Sequence, residues 1–357
     1  MKISIFGSSI LSAYWNGAAT YYRGMVRALH EKGHDITFYE PAAYDRQAHA
    51  DLESPAWVKV VVYAPSPNEV DRLLEEASVS DLLIKTSGVG VLDDYLEFAI
   101  VQAKRSSNIV AFWDVDAPST LDRLRAKQQD PFRDLIPHFD LVLTYGGGHP
   151  VVAGYEAFGA QACFPIYNGV DPATHFPVKA ESAYASDLNF LGNRLPDREK
   201  RAEEFFFKPA QELGDRRFVL AGNGWDGKVM PENVRYFGHL RTCDHNRFYC
   251  SGLAVLNVCR NSMAAYGFSP ATRVFEATGT GACLITDAWE GVAEFFEPDR
   301  EILVAENGER IVELLNDLTP LRSREIGAAA RKRCLREHTY ERRAQQFESI
   351  FSVVVGQ

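Results

Sequence analysis

The feature that most constrains this chain is one pattern played twice. Short runs rich in Val, Ile and Leu alternate with stretches of helical periodicity. In the first half the runs fall at residues 3–6, 35–39, 58–62, 82–85, 109–113 and 141–144. Helical patterns lie at 17–32, 68–76 and 92–104, the first with Asn16 placed as N-cap and Gly33 as a stop. Strands that are almost continuously apolar have both faces covered, which specifies a parallel sheet between helical layers. Residues 165–186 lose all periodicity and read as a linker. The alternation then restarts, with strands at 188–191, 218–221, 253–258, 282–286 and 302–304 and helices at 197–213, 272–278 and 309–318. A last helix is expected over 340–355. The expected class is α/β, with two doubly wound parallel-sheet domains facing a cleft. In such sheets a ligand binds outside the carboxyl ends of the strands.

Composition removes several functions. The net charge is −10, from 38 basic and 48 acidic residues, which argues against gripping a nucleic-acid backbone. No apolar run reaches the ~18 residues of a membrane span. The start, Met1 to Gly7, lacks the pattern of an export signal, so a cytoplasmic location is expected. The six cysteines include no Cys-x-x-Cys pair and are expected to be buried thiols. Cys243, Cys250, His239 and His245 lie close in sequence but fit no common zinc spacing. Of 27 arginines, 19 fall within residues 181–357. Arginine suits bidentate contact with phosphate, so a phosphate-bearing ligand is placed on the second half.

Several strand ends carry candidate chemistry. Gly7, Ser8 and Ser9 follow the first strand, as a phosphate or acceptor loop or as a tight turn. Neither Gly-x-Gly-x-x-Gly nor a P-loop pattern occurs. Asp114 and Asp116 have three readings: acceptor-side catalysis, helix capping (with a Ser119–Asp122 box as a variant) and a metal-holding pair. His149, after three glycines, is a candidate general base or a loop histidine. Arg194 and Arg198, after a strand and Gly192, form a credible diphosphate grip. Gly222 and Asn223 are suited to line a base pocket, and the stretch Gly238-His239 to meet a nucleobase edge. The strongest segment runs from Ser269 to Val292: Glu276 sits on a short helix, and Gly281 lies in the turn leading to a strand. A carboxylate so placed can accept hydrogen bonds from ribose hydroxyls. Arg273 stands three residues before it, where a helix salt bridge is the plain alternative.

That segment resembles the donor-binding signature of GT-B glycosyltransferases, in particular the CgeB-like family related to glycosyltransferase family 4. Supporting stretches are Phe112 to Pro118, Tyr167 to Pro172, Phe218 to Gly222, Phe248 to Cys250 and Leu256 to Arg260, the last containing Asn257. The resemblance implies two Rossmann-like domains of the GT-B fold: 1–172 on the acceptor side, 173–338 holding the nucleotide-sugar donor, and 339–357 as a helix crossing back. It implies a glycosyltransferase, retaining and metal-independent, with no cofactor and a nucleotide-diphosphate sugar, by default a UDP-sugar, as co-substrate. Glu276 matches the ribose-binding glutamate, and Arg194, Arg260 and Arg273 are candidates for the diphosphate charge. Where relatives carry a second acid eight residues earlier, this chain has Phe268. The acceptor, a glycan, protein or small molecule, is assigned to loops 9–17 and 43–55 of the first domain. A sugar-nucleotide epimerase or hydrolase on the same fold, and a non-catalytic sugar-nucleotide-binding protein of spore or coat maturation type, are the alternatives.

Overall fold

A computed structural model describes residues 1–53 and 55–356. Ser54, within the 43–55 loop, and Gln357, at the end of the 339–357 segment, lie outside the described residues. The chain divides into two units: residues 1–167 with 340–357, and residues 168–339.

Unit 1 carries strands β1 (Lys2–Phe6), β2 (Asp35–Pro41), β3 (Lys59–Tyr63), β4 (Leu82–Thr86), β5 (Ile109–Asp114), β6 (Leu141–Thr144) and β7 (Cys163–Pro165). They pair in the order β3-β2-β1-β4-β5-β6-β7, all parallel. The order reverses between β1 and β4, the place where a doubly wound sheet opens a crevice. Every residue of β4 is buried, as the unbroken Leu-Leu-Ile run requires. The helix Tyr340–Val355 belongs to this unit, and Tyr340, Ala344, Phe347 and Ile350 join its core. Gly24 makes that packing possible: a Cβ there would lie 2.0 Å from the Tyr340 ring.

Unit 2 carries β8 (Ser186–Leu191), β9 (Phe218–Ala221), β10 (Val234–Tyr236), β11 (Gly252–Asn257), β12 (Leu284–Asp287) and β13 (Leu303–Ala305). Their order is β10-β9-β8-β11-β12-β13, again all parallel, with the reversal between β8 and β11. Two parallel-sheet α/β units, of seven and six strands, are the architecture the alternating pattern specifies.

Three local expectations need correction. The first helix, Ala19–Glu31, has Ala18 rather than Asn16 at its N-cap. Asn16 is buried and donates from Nδ2 to the carbonyls of Ser9 and Ser12, at 2.7 and 3.1 Å, fastening the loop instead of the helix. The helix expected over 197–213 is three pieces: Glu199–Ala202, a π-helical turn Glu203–Phe207, and Lys208–Glu212. Pro209 has no N–H to continue the ladder and would clash with the carbonyl four residues back, so the extra residue is absorbed there. The bulge turns Phe205, Phe206 and Phe207 all into the core. Not all thiols are buried either: Cys163, Cys259, Cys283 and Cys334 are, but Cys243 is exposed and Cys250 half-buried.

Candidate functional site: the switch point of unit 2

The carboxyl ends of β8 and β11 are where the sheet reverses, and the arginines expected at a phosphate gather there. Arg198 follows β8, Arg260 follows β11, and Arg273 reaches both ends from the Thr272–Gly279 helix. Arg273 Nε donates to the Leu191 carbonyl at 2.5 Å and Nη1 to Asn257 Oδ1 at 2.7 Å. Its guanidinium also lies 5.2 Å from the centre of the Phe190 ring. Gly192 permits this approach, since a Cβ there would sit 3.0 Å from Arg273 Nη2.

Arg198 is 9% exposed and donates from Nη1 to the Asn193 carbonyl at 3.1 Å. Its buried Nε has no hydrogen-bond partner among the described residues. Burial, and then the Arg273 and Arg260 charges, push Arg198 well below the usual arginine range, to about 10. Arg260 is held by Asp197, Nε to Oδ2 at 2.7 Å. Arg194 pairs with Glu199 at 2.5 Å and is the most solvent-facing of the four. Three guanidiniums thus converge, with Asp197 paired to Arg260. Such a place favours a polyanion with planar, bidentate oxygens.

The backbone does something different from what the glycine turns suggest. Gly192 N–H goes to the Ala221 carbonyl, Arg194 N–H to Asn223, and Gly222 N–H to Gly238. Asn223 N–H goes to Asn193 Oδ1 at 2.8 Å, and Trp225 Nε1 donates to the Gly192 carbonyl at 2.7 Å. These turns stitch the ends of β8, β9 and β10 together, so the charge for an anion comes from side chains. Asn223 Nδ2 lies 3.5 Å from Nδ1 of the exposed His239, and Gly281 turns the chain at φ +79° ahead of β12.

Residues 198–349 match a family model described as glycosyl transferase-like. No curated protein matches the chain. Among solved structures it is similar to a sucrose-phosphate synthase from Thermosynechococcus elongatus, at TM-score 0.73 and 13% identity, over 100% of this chain and 99% of that one. It is similar to Anabaena Alr3699/HepE, solved in complex with UDP and glucose, at TM-score 0.71 and 13% identity, over 99% of this chain and 100% of that one. It is also similar to T4 phage BGT, solved with its UDP-glucose substrate, at 0.61 and 14%, over 100% of each chain. The chain has the GT-B fold, and residues 198–349 are similar to the glycosyl transferase-like family.

In this GT-B chain Glu276 lies one turn beyond Arg273 but is 4% exposed and already engaged. The Tyr249 hydroxyl donates to its Oε2 at 3.1 Å, and His245 Nδ1 stands 3.9 Å from the same oxygen. The Arg273 guanidinium is held by Leu191 and Asn257, and the Glu276 charge is among those that favour its protonated form. Tyr249→Phe is expected to lower stability by about 1–3 kcal/mol, because a buried carboxylate loses its donor. Urea unfolding checks this, and an unchanged midpoint would mean the hydroxyl contributes nothing. Phe268 is buried at φ +45° against Gly291, whose Cβ would lie 2.2 Å from its ring.

The candidates in unit 1 are mostly committed to the fold. Asp114 is fully buried and accepts from the hydroxyls of Ser87 (2.6 Å) and Tyr155 (2.5 Å) and from the Asp116 N–H (2.9 Å). Asp116 stands at the start of the Ala117–Ala126 helix, and its side chain makes no capping bond. Ser119 lies inside that helix, past the N-cap position a capping box needs. His149 is exposed, in the first turn of the Gly148–Ala157 helix. Gly7 N–H pairs with Tyr39, Ser8 Oγ donates to Asn16, and Ser9 Oγ accepts from the Ser12 N–H. The N–H groups of Ile10 and Leu11, which a phosphate loop would offer outward, go to the buried Glu40 carboxylate at 2.7 and 3.3 Å. Sequence reasoning missed Glu40. It also missed Arg46, which closes the same loop by donating to the carbonyls of Ser8 and Val89.

Proposed function

We propose that the chain transfers a glycosyl group from a nucleoside diphosphate sugar whose diphosphate is held by Arg198, Arg260 and Arg273. One observation carries this reading. A buried guanidinium with an unused Nε is kept beside two others at the switch point of a doubly wound sheet. The clustered charges repel one another in the apo fold, whereas a bound diphosphate compensates all three. Anabaena HepE and T4 phage BGT, solved with UDP-glucose, support UDP-glucose as the first donor to try.

The transfer breaks the bond from the sugar C1 to the β-phosphate oxygen and forms one from C1 to an acceptor oxygen. The acceptor proton passes to the departing phosphate, and the nucleoside diphosphate leaves. The guanidiniums stabilise the charge that builds on the leaving group, so no metal is needed at the phosphates. Retention of the anomeric configuration fits this route, because it requires no dedicated side-chain base. Asp114, enclosed by Ser87 and Tyr155, is poorly placed to act as one. Unit 1 is assigned to the acceptor. The proposal fixes the diphosphate and makes no use of Glu276.

UDP-glucose at about 100 times its dissociation constant is expected to stabilise the fold by about 2.7 kcal/mol, visible as a thermal shift. The shift is expected to persist in EDTA. No shift with UDP, GDP, dTDP or ADP sugars would overturn the reading. Conversion or hydrolysis of donor alone, faster than transfer to any acceptor, would replace it with the epimerase or hydrolase alternative.

A further inference from the structure

We propose that His175, His245 and Glu276 form a binding site for one divalent first-row transition-metal ion. The inference goes beyond the donor reading and does not depend on it. One ligating atom from each residue lies within 4.8 Å of the others, all inside unit 2. The three come from distant stretches of chain: the turn after Asp171, the start of the His245–Tyr249 helix, and the Thr272–Gly279 helix.

The hydrogen bonds around His175 determine which nitrogen faces the cluster. The Thr174 hydroxyl donates its proton to the Asp171 carbonyl at 3.1 Å. Its oxygen lies 3.0 Å from His175 Nδ1 and, with the proton already used, acts there as acceptor. His175 therefore carries its proton on Nδ1 and presents a lone pair at Nε2. That nitrogen is buried, on a side chain 4% exposed, and has no hydrogen-bond partner among the described residues. A buried lone pair that receives no donor, in a cluster with a buried carboxylate, is the kind of site a cation completes. An imidazole whose far N–H is anchored by a neighbouring oxygen is also how metal-ligating histidines are oriented.

Neighbouring bonds hold the other parts in place. Asn246 Nδ2 donates to the Thr174 carbonyl at 2.9 Å, which fastens the His175 turn to the helix bearing His245. Tyr249, one turn along that helix, holds Glu276 Oε2. Two imidazoles and one carboxylate suit zinc, cobalt or nickel and not the oxygen-seeking calcium or magnesium. Ligand bonds of ~2.1 Å set the atoms about 3.4 Å apart, so from a limit of 4.8 Å they close by up to about 1.4 Å. His245 Nδ1 and Glu276 Oε2, at 3.9 Å, are already near enough. Three protein ligands leave a fourth position open.

The test uses the full chain stripped with EDTA and titrated with zinc chloride by calorimetry, with bound metal counted by mass spectrometry. Cobalt serves as a spectroscopic probe and magnesium as a control. One zinc per chain is expected, with a tetrahedral-type cobalt absorption and no uptake of magnesium. His175→Ala and Glu276→Gln are expected to remove the stoichiometric site. Thr174→Val touches no ligand atom and frees the imidazole to turn, so about 10–100-fold weaker zinc binding is expected. Circular dichroism of each variant confirms the fold, and Thr174→Val keeps the test valid if a ligand variant does not fold. Substoichiometric binding by the wild type would overturn the proposal. So would undiminished binding by folded His175→Ala, which would direct attention to the thiols Cys243 and Cys250. Titrating the stripped protein with UDP separates the two readings. UDP binding without a zinc site sinks only this inference, and a zinc site without UDP binding sinks only the donor assignment.

Discussion

Arg198→Met is expected to make the unliganded fold more stable and the enzyme far poorer. The charge on Arg198 is unfavourable in the folded protein: burial removes its water, and Arg273 and Arg260 repel it. A fall from the usual arginine range to about 10 corresponds to a folded-state penalty on the order of 3 kcal/mol. Methionine keeps much of the apolar stem and removes the charge, so part of that penalty is recovered. Donor kcat/KM is expected to fall by about 10²–10³, the range for losing one group that stabilises developing charge. Paired urea unfolding and donor kinetics check this. A destabilised variant with wild-type donor kinetics would show Arg198 to be a packing residue and nothing more.

The pH dependence has a definite sign. Below pH 10 the guanidinium is protonated in both the folded and the unfolded chain, so the penalty is complete at neutral pH. It is relieved only as the pH rises from about 10 towards 12.5, where the folded chain releases the proton first. Nothing in the physiological range removes it except a bound anion. A site with this property is poised for phosphate at all working pH values.

Much of the fold is legible in the sequence because it depends on local composition. The unbroken apolar runs of β4 and β11 specify buried parallel strands whatever lies elsewhere. The three-residue strands β7 and β10 carry too little pattern to read, whereas the equally short β13 follows the Ile302-Leu303-Val304 run that marks it. The arginine excess in the second half is a compositional signal for anion chemistry. Which arginines converge is decided by the strand order, which places the end of β8 beside the end of β11. Local sequence cannot see that Arg194 turns to Glu199 while Arg198 turns inward. The His175 cluster is hidden for the same reason. His175 lies in a stretch read as a linker, and His245 groups in sequence with Cys243 and Cys250. Its partners in space are 70 residues earlier and 31 residues later. Metal spacing rules work only when ligands share one short segment.

Gly222→Ala is expected to be among the most damaging single methyl additions in unit 2. Gly222 has φ +126°, a conformation that side-chain-bearing residues rarely adopt. A Cβ there would lie 2.3 Å from the Gly192 carbonyl oxygen, 2.5 Å from its carbon and 3.0 Å from the Asn193 nitrogen. All three are backbone atoms, so no rotamer change relieves the clash. Backbone strain and overpacking together give a cost of about 2–5 kcal/mol, or a fall in melting temperature of roughly 5–15 °C. The displaced atoms belong to the turn that leads to Arg198, so donor affinity should fall with stability. Gly17→Ala is the comparison: it lies in the turn before the Ala19–Glu31 helix, and a Cβ there meets nothing within 4 Å. Its effect should stay within about 0.5 kcal/mol. The two glycines differ in backbone conformation and in how closely another strand's turn passes. Equal melting temperatures for the two variants would mean that the turns after β8 and β9 are not in contact, and the convergence of arginines above them would lose its support.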